Sequence, residues 1–260
     1  MNALKDLYCV AGNPIEHSRS PQIHQAFADQ FGHEISYTRM LVPLEEFKQA
    51  VQQFREQGAR GMNVTVPFKE QALALADQAS PQASAAGAAN TLSFIDGQIH
   101  ADNTDGPGLV QDLTQRHNVS LTGADIVLVG AGGAARGVVL PLAQASVRSI
   151  LIVNRTEQRA RDLVASLKPQ RSSPIWVNAT AAGLNSEVSP VDTPLLTDAR
   201  VAYDMLYAAK PTPFMLAAAH AGCSLVVDGL GMLVEQAAFS YRIWRGVAPE
   251  TQPVYSMLRT

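Results

Sequence analysis

Gly130-Ala131-Gly132-Gly133-Ala134-Ala135 follows the apolar run Ile126-Val127-Leu128-Val129 and opens a stretch with helical apolar spacing. A strand entering a glycine turn and leaving as a helix is the first unit of a parallel α/β sheet. In such a unit Gly130 permits the tight turn, Gly132 lets the backbone approach phosphate, and Ala135 is small enough for helix–strand packing. The backbone N–H groups of the turn Gly130–Ala135 and the helix dipole then favour a dinucleotide pyrophosphate.

The next strand closes on Asn154-Arg155-Thr156, with Arg159 one helical turn on. NAD-binding units carry Asp or Glu at about this place, to accept hydrogen bonds from the ribose 2′-OH. Cations at a helix start oppose the macrodipole, so an anionic ligand is the better reason for them. A 2′-phosphate fits, and the expected cofactor is NADP(H).

Bulk composition excludes several other classes. The 260 residues are 47% hydrophobic and 17% charged, with a formal net charge of −3. Such a chain is globular, long enough for two domains of ordinary size, and has no electrostatic case for nucleic acid or an anionic membrane. The six histidines show no paired spacing, so no metal is expected. Cys9 and Cys223 lie in apolar strand-like runs without a CxxC, and are expected as buried, reduced thiols. No signal-peptide core or membrane-length apolar run is present, and the expected location is cytoplasmic.

Strand and helix signals alternate along the chain, which implies α/β architecture. Strands are expected at 8–11, 35–41 and 62–66, with helices at 22–31, 44–57 and 68–77. The segments 90–95 and 98–101 flank Asp96-Gly97, a hairpin signal. A helix over 106–116 leads into strand 125–129, helix 133–145, strand 149–153 and helix 157–167. Strands at 175–179, 201–205 and 224–228, with a helix at 213–221, precede helices at 230–245 and 253–258. Between Arg161 and Asn178 the chain is short for a third strand, because crossing between parallel strands takes at least ~10–12 residues. Either the sheet lacks a strand with its crossover, or residues are absent from the sequence near Arg171-Ser172-Ser173.

The first half carries the candidate chemistry. Ser18-Arg19-Ser20-Pro21 reads as a helix start, with Ser20 as N-cap and both hydroxyls at a positive helix end. This spacing suits a carboxylate receptor and suits simple capping equally. Asn63-Val64-Thr65-Val66-Pro67-Phe68-Lys69 is a strand entering a helix, with Asn63 and Thr65 on one side. Lys69 falls in the first helical turn, where the dipole disfavours its charge, and Asp105 precedes a helix, where an anion is favoured. Singly each is a solvated charge or a cap; brought together they make an acid/base pair.

In these motifs the chain resembles the shikimate dehydrogenase family over nearly its whole length. Ser18-Arg19-Ser20 is similar to the family's SxS segment, Asn63–Lys69 to its lysine motif, and Gly87–Thr91 to its Gly-Ala-x-Asn-Thr segment. Asn103–Gly106 resembles NTDG, Gly130–Ala135 the glycine turn, and Asn154–Arg159 the NADP-type NRTxxR. Asp204–Tyr207 and Gly231–Gln236 resemble the late substrate motifs.

The resemblance implies an α/β fold of two domains facing across a cleft. These are a substrate-binding domain (1–105 plus 237–260) and a Rossmann-type NADP-binding domain (106–236). It implies NADPH-dependent reduction of 3-dehydroshikimate to shikimate, with Lys69 and Asp105 catalytic. Ser18, Ser20 and Tyr207 would hold the carboxylate side, and Asn63, Thr65, Asn90, Asp105 and Gln236 the hydroxyls or reacting oxygen. Cofactor contacts would extend to Thr180, Met205 and Gly229. The partner is a small molecule, and the protein a monomer or homodimer. Two features depart from the family: Ala181-Ala182 stands where hydroxyl residues are common, and the 161–178 segment is short. Rival readings are a quinate or aminoshikimate dehydrogenase, a non-catalytic NADPH sensor and a folate-linked dehydrogenase. NAD-accepting relatives tend to carry an acidic residue about where this chain has Arg155. A sensor would not need both Lys69 and Asp105, and the Ser18/Ser20 and Asn63–Lys69 segments fit the folate enzyme poorly.

Overall fold

The computed structural model describes residues 5–154, 173–180 and 188–259. Contacts between Cα atoms divide the chain into two compact units, Met1–Leu109 with Leu233–Thr260, and Val110–Met232.

The first unit is built on a six-stranded sheet. Its strands are β1 (Asp6–Gly12), β2 (Ile35–Leu41), β3 (Gly61–Val64), β4 (Gln78–Ala79), β5 (Thr91–Ile95) and β6 (Gln98–Asp102), in the order β2-β1-β3-β5-β6-β4. β1 runs parallel to β2 and β3, while β5 is antiparallel to β3 and β6, so the sheet is mixed. The β5–β6 hairpin closes over Asp96-Gly97, as the dipeptide predicts, pairing Ile95 with Gln98. Helix α1 (Ser20–Phe31) buries Ser20, Ile23, His24, Phe27 and Ala28, a single face at helical spacing. Helix α2 (Phe47–Glu56) buries Phe47, Val51 and Phe54. These join Met62, Val64, Phe68 and Leu92 in one apolar core.

Several boundaries differ from the sequence expectation, each for a local reason. Ser20 is not the cap of α1. Arg19 holds the cap position at φ −90°, ψ −1°, without a side-chain cap, and Ser20 is already helical. Helix α2 begins at Phe47 rather than Leu44, because Glu46 N–H closes a turn onto the Pro43 carbonyl at 3.0 Å. β3 stops at Val64, after which Phe68 N–H turns back to the Thr65 carbonyl at 3.0 Å. Helix α3 (Lys69–Ala74) is correspondingly short. Neither β4 nor helix α4 (Pro81–Ala86) is anticipated. The Ser80 hydroxyl caps α4 by accepting from Ala83 N–H at 3.1 Å, a signal too short to stand out in sequence. Helix α5 (Asp105–Gln111) does not continue as one α-helix to 116 but widens into a π turn over Asp112–Arg116.

The second unit holds a parallel five-stranded sheet. Its strands are β7 (Asp125–Val129), β8 (Ser149–Val153), β9 (Ile175–Asn178), β10 (Val201–Asp204) and β11 (Leu225–Val227), in the order β11-β10-β9-β7-β8. Sequence order reverses between β8 and β9 on either side of β7, the switch point at which open α/β sheets bind ligands. Helix α6 (Gly133–Gln144) follows β7, and helix α7 (Pro213–His220) is capped by Thr212, which accepts from Met215 N–H. The expected helix 157–167 and the short stretch around 171–173 fall largely or wholly outside the described residues. Helix α8 (Leu230–Arg245) and helix α9 (Thr251–Arg259) complete the chain. Cys9 is buried as expected, whereas Cys223 is only half-buried because it sits in the turn before β11. No described helix is long and apolar enough to cross a membrane.

Candidate active site

Strand ends and helix starts of the first unit bring the candidate residues together. Lys69 opens α3 and Asp105 opens α5. Their Nζ and Oδ2 atoms lie 2.6 Å apart, with the side chains 22% and 11% exposed. A pair this short and this sheltered is a charge-assisted hydrogen bond rather than a loose surface contact.

Asp105 is held from the other side. Asn90, at the end of the segment entering β5, donates through Nδ2 to Asp105 Oδ1 at 2.9 Å and to Thr104 Oγ1 at 2.9 Å. Its Oδ1 accepts Thr104 N–H and the Thr91 hydroxyl, both at 2.9 Å. Gln236, on α8, presents Oε1 to Asn90 Nδ2 at 3.2 Å and anchors its own Nε2 on the Leu233 carbonyl at 2.8 Å. Asn63 on β3 is buried and accepts the Tyr37 hydroxyl at 2.7 Å. Its amide donates to the Asn90 carbonyl and to Ser240 Oγ. Lys69, Asn63, Asn90, Asp105 and Gln236 are therefore one connected polar group.

Thr65 is half-buried just past β3, with its N–H on the Ala11 carbonyl at 2.9 Å. Ser18 and Ser20 lie at the start of α1 with their hydroxyl oxygens 3.2 Å apart. The loop carrying them is pinned twice. Arg39 donates to the Ser18 carbonyl at 2.7 Å, and Arg19 donates to the Leu258 carbonyl at 2.8 Å. Tyr207 lies in the second unit, half-buried beyond β10.

Tyr37, Thr91, Thr104 and Ser240 belong to the polar group and are not singled out by sequence reasoning. Thr91 and Thr104 sit inside recognised motifs, and Ser240 lies one turn beyond Gln236 on the same helix. That spacing is the available signal, but a serine on a mostly apolar helix face reads as neutral filler until its neighbours are known.

The glycine turn fits a dinucleotide phosphate on its own geometry. Gly130 has φ +109°, and its N–H donates to the Val153 carbonyl at 2.7 Å. A side chain is strained at that φ. A Cβ at Gly132 or Gly133 would meet no heavy atom within 4 Å, so the backbone is open above the turn. Helix α6 has neither a side-chain cap nor an acidic residue in its first turn, which leaves its N–H groups for an anion. Ala131 is exposed, Ala134 half-buried and Ala135 buried. Asn154 is exposed at the end of β8, next to the switch point. Arg155, Thr156 and Arg159 lie outside the described residues.

The far wall of this unit is tightly built. Asn178 Nδ2 donates to Asp204 Oδ1 at 3.1 Å, and Thr180 donates its hydroxyl to Asn178 Oδ1 at 2.8 Å. Met205 N–H bonds the Asn178 carbonyl at 2.9 Å, and Gly229 N–H the Leu206 carbonyl at 2.8 Å. Burial raises the Asp204 carboxyl above its ordinary value, against hydrogen bonds from Thr212, Leu206 N–H and Asn178. Among the described residues no cluster of three His, Cys, Asp or Glu could hold a metal ion.

Comparison with known proteins gives three matches to family models along the chain. They are the shikimate dehydrogenase substrate binding domain over residues 10–92, shikimate / quinate 5-dehydrogenase over 112–187, and the shikimate 5′-dehydrogenase C-terminal domain over 229–259. Shikimate dehydrogenase (NADP(+)) of Alkalilimnicola ehrlichii is 48% identical, covering 98% of this chain and 99% of its own. Among solved structures, an Ael1 enzyme from Pseudomonas putida is 40% identical with TM-score 0.87, covering 98% of each chain. Shikimate 5-dehydrogenase from Thermus thermophilus, solved with NADP(H) and shikimate, is 34% identical with TM-score 0.85, covering 98% of each chain.

Proposed function

The chain belongs to the shikimate dehydrogenase family, and we propose that it catalyses the reversible NADPH-dependent reduction of 3-dehydroshikimate to shikimate in aromatic amino-acid biosynthesis. The observation that carries the reading is the 2.6 Å Lys69–Asp105 pair, with Asn90 bonded to Asp105 and Gln236 bonded to Asn90.

NADPH, when bound, supplies a hydride to the ketone carbon. The turn Gly130–Ala135 would hold its pyrophosphate, with Asn154, Arg155, Thr156 and Arg159 toward the adenosine 2′-phosphate. Thr180, Met205 and Gly229 would line the remainder of the cofactor site. As the carbonyl becomes an alcohol, negative charge develops on its oxygen. Lys69 Nζ delivers a proton or a charge-assisted hydrogen bond there, and takes the proton back in the oxidation direction. Asp105 orients Lys69 and accepts from the adjacent substrate hydroxyl. Ser18, Ser20 and Tyr207 receive the carboxylate side. Asn63, Thr65, Asn90 and Gln236 order the hydroxyls. The substrate half is assigned to 1–105 with 237–260, and the NADP half to 106–236. The enzyme is assigned to the cytoplasm, as a monomer or homodimer.

NADP reduction by the purified protein with shikimate, run beside quinate and beside NAD, tests the reading. Turnover with shikimate and NADP alone is the expected result. Equal turnover with quinate or NAD would move the chain to a broader-specificity relative, and no turnover with NADPH still binding would favour a sensor.

A further inference from the structure

We propose that Ser240 is a positioning residue, the joint of a one-directional hydrogen-bond chain that runs from Tyr37 to the Asp105 carboxylate and sets both active-site amides. The inference rests on the catalytic assignment of Lys69 and Asp105.

The direction of the chain follows from which atoms can only give or only take a proton. The Thr104 N–H can only donate, so the Asn90 atom it meets at 2.9 Å is Oδ1, which leaves Nδ2 facing Asp105 at 2.9 Å. The Thr91 hydroxyl reaches the same Asn90 Oδ1 at 2.9 Å and must spend its one proton there. Thr91 Oγ1 is thereby an acceptor for the Ser240 hydroxyl, 2.7 Å away. The Gln236 carbonyl at 3.1 Å and Thr104 Oγ1 at 3.2 Å are the longer alternatives for that proton. Ser240 Oγ in turn accepts from Asn63 Nδ2 at 3.0 Å, closer than the direct approach of that Nδ2 to Thr91 Oγ1 at 3.2 Å. The same Nδ2 faces the Asn90 main-chain carbonyl at 3.1 Å, which fixes that amide's orientation too. Asn63 Oδ1 then receives the Tyr37 hydroxyl at 2.7 Å.

Every donor in this series points the same way: Tyr37 to Asn63, Asn63 to Ser240, Ser240 to Thr91, Thr91 to Asn90, Asn90 to Asp105. Bonds polarised in one sense in a dry environment strengthen each other, and a break is felt along the chain. Ser240 and Thr91 are both fully buried, so water does not substitute freely for a lost hydroxyl. Ser240 is also the member that lies on the helix carrying Gln236, and it ties that helix to β3 through Asn63 and to β5 through Thr91.

The test is a double-mutant cycle in the full-length protein with Ser240→Ala and Thr91→Val, each of which removes a hydroxyl with little change of shape. Either substitution is expected to lower kcat/KM for shikimate about three- to tenfold, the size of one or two neutral hydrogen bonds, with KM for NADP unchanged. The double variant is expected to be little worse than either single one, because both break the same chain. Ser240→Thr, which keeps the hydroxyl, is expected to recover most of the loss. Shikimate constants that stay at the wild-type level while the melting temperature falls would overturn the role, as would losses that simply add. Absence of wild-type turnover with shikimate would remove the functional reading itself, and with it this role. Wild-type turnover with unaltered variants removes only the role of Ser240.

Discussion

Lys69 Nζ lies 2.6 Å from Asp105 Oδ2, and Asp105 Oδ1 accepts from Asn90 Nδ2 at 2.9 Å, so the carboxylate is held at both oxygens. That arrangement leaves the lysine free to turn its remaining protons toward a ligand while its position is fixed.

Lys69→Ala is expected to reduce turnover by ~10²–10⁴, the usual value of general acid–base help. NADPH binding, followed by fluorescence titration, should stay within about twofold, since the glycine turn lies on the other unit. Turnover like that of the wild type would refute the role.

Arg155→Asp should move cofactor preference from NADP toward NAD. Charged hydrogen bonds are worth ~1.5–3 kcal/mol each, so a loss of about a hundredfold in relative kcat/KM is expected when the charge is reversed. An unchanged NADP/NAD ratio would show that the 2′-phosphate is held elsewhere.

His24 makes stability depend on pH. It is fully buried against Tyr37, with ring centroids 4.3 Å apart, and among the described residues neither ring nitrogen has a hydrogen-bond partner. Burial drives its imidazole from 6.5 down to about 3. The unfolded chain therefore binds a proton between these values that the folded chain refuses. Stability from this group is fully present above pH 6.5 and is lost as pH falls toward 3, at up to ~1.4 kcal/mol per pH unit. His24→Phe keeps an aromatic ring there and should flatten the stability profile between about pH 7 and 4.5 in urea titrations. An equal slope in both proteins would contradict the assignment.

Gly229→Ala should destabilise the second unit. A Cβ at this position would lie 2.2 Å from the Met205 carbonyl oxygen and 2.6 Å from its carbon, and a backbone group has no rotamer with which to yield. A cost of roughly 1–3 kcal/mol in urea unfolding is expected. A melting temperature equal to that of the wild type would mean that the two segments part easily.

Read from the sequence alone, the glycine turn, the alternation of strands and helices and the Asp96-Gly97 hairpin are all legible. Each is a local matter of backbone freedom or apolar spacing, and each is written within a few neighbouring residues. Lys69 and Asp105 are legible as candidates for the same reason, since each sits at a helix start. Their approach to 2.6 Å is not, because residues far apart in the chain meet only when β3 and β5 pair and α5 follows β6. The start of α1 at Ser20, the π turn after Gln111 and the short β4 likewise depend on packing, which overrides weak local preference. Ser240 is the clearest case. Its sequence setting is an ordinary serine on a helix, and its place between Asn63 and Thr91 exists only once that helix lies across both strands. Sequence determined which chemical groups the protein owns and which turns it can make. Tertiary structure decided which of those groups share protons, because hydrogen bonds act over about 3 Å and the chain brings distant residues within that range only on folding.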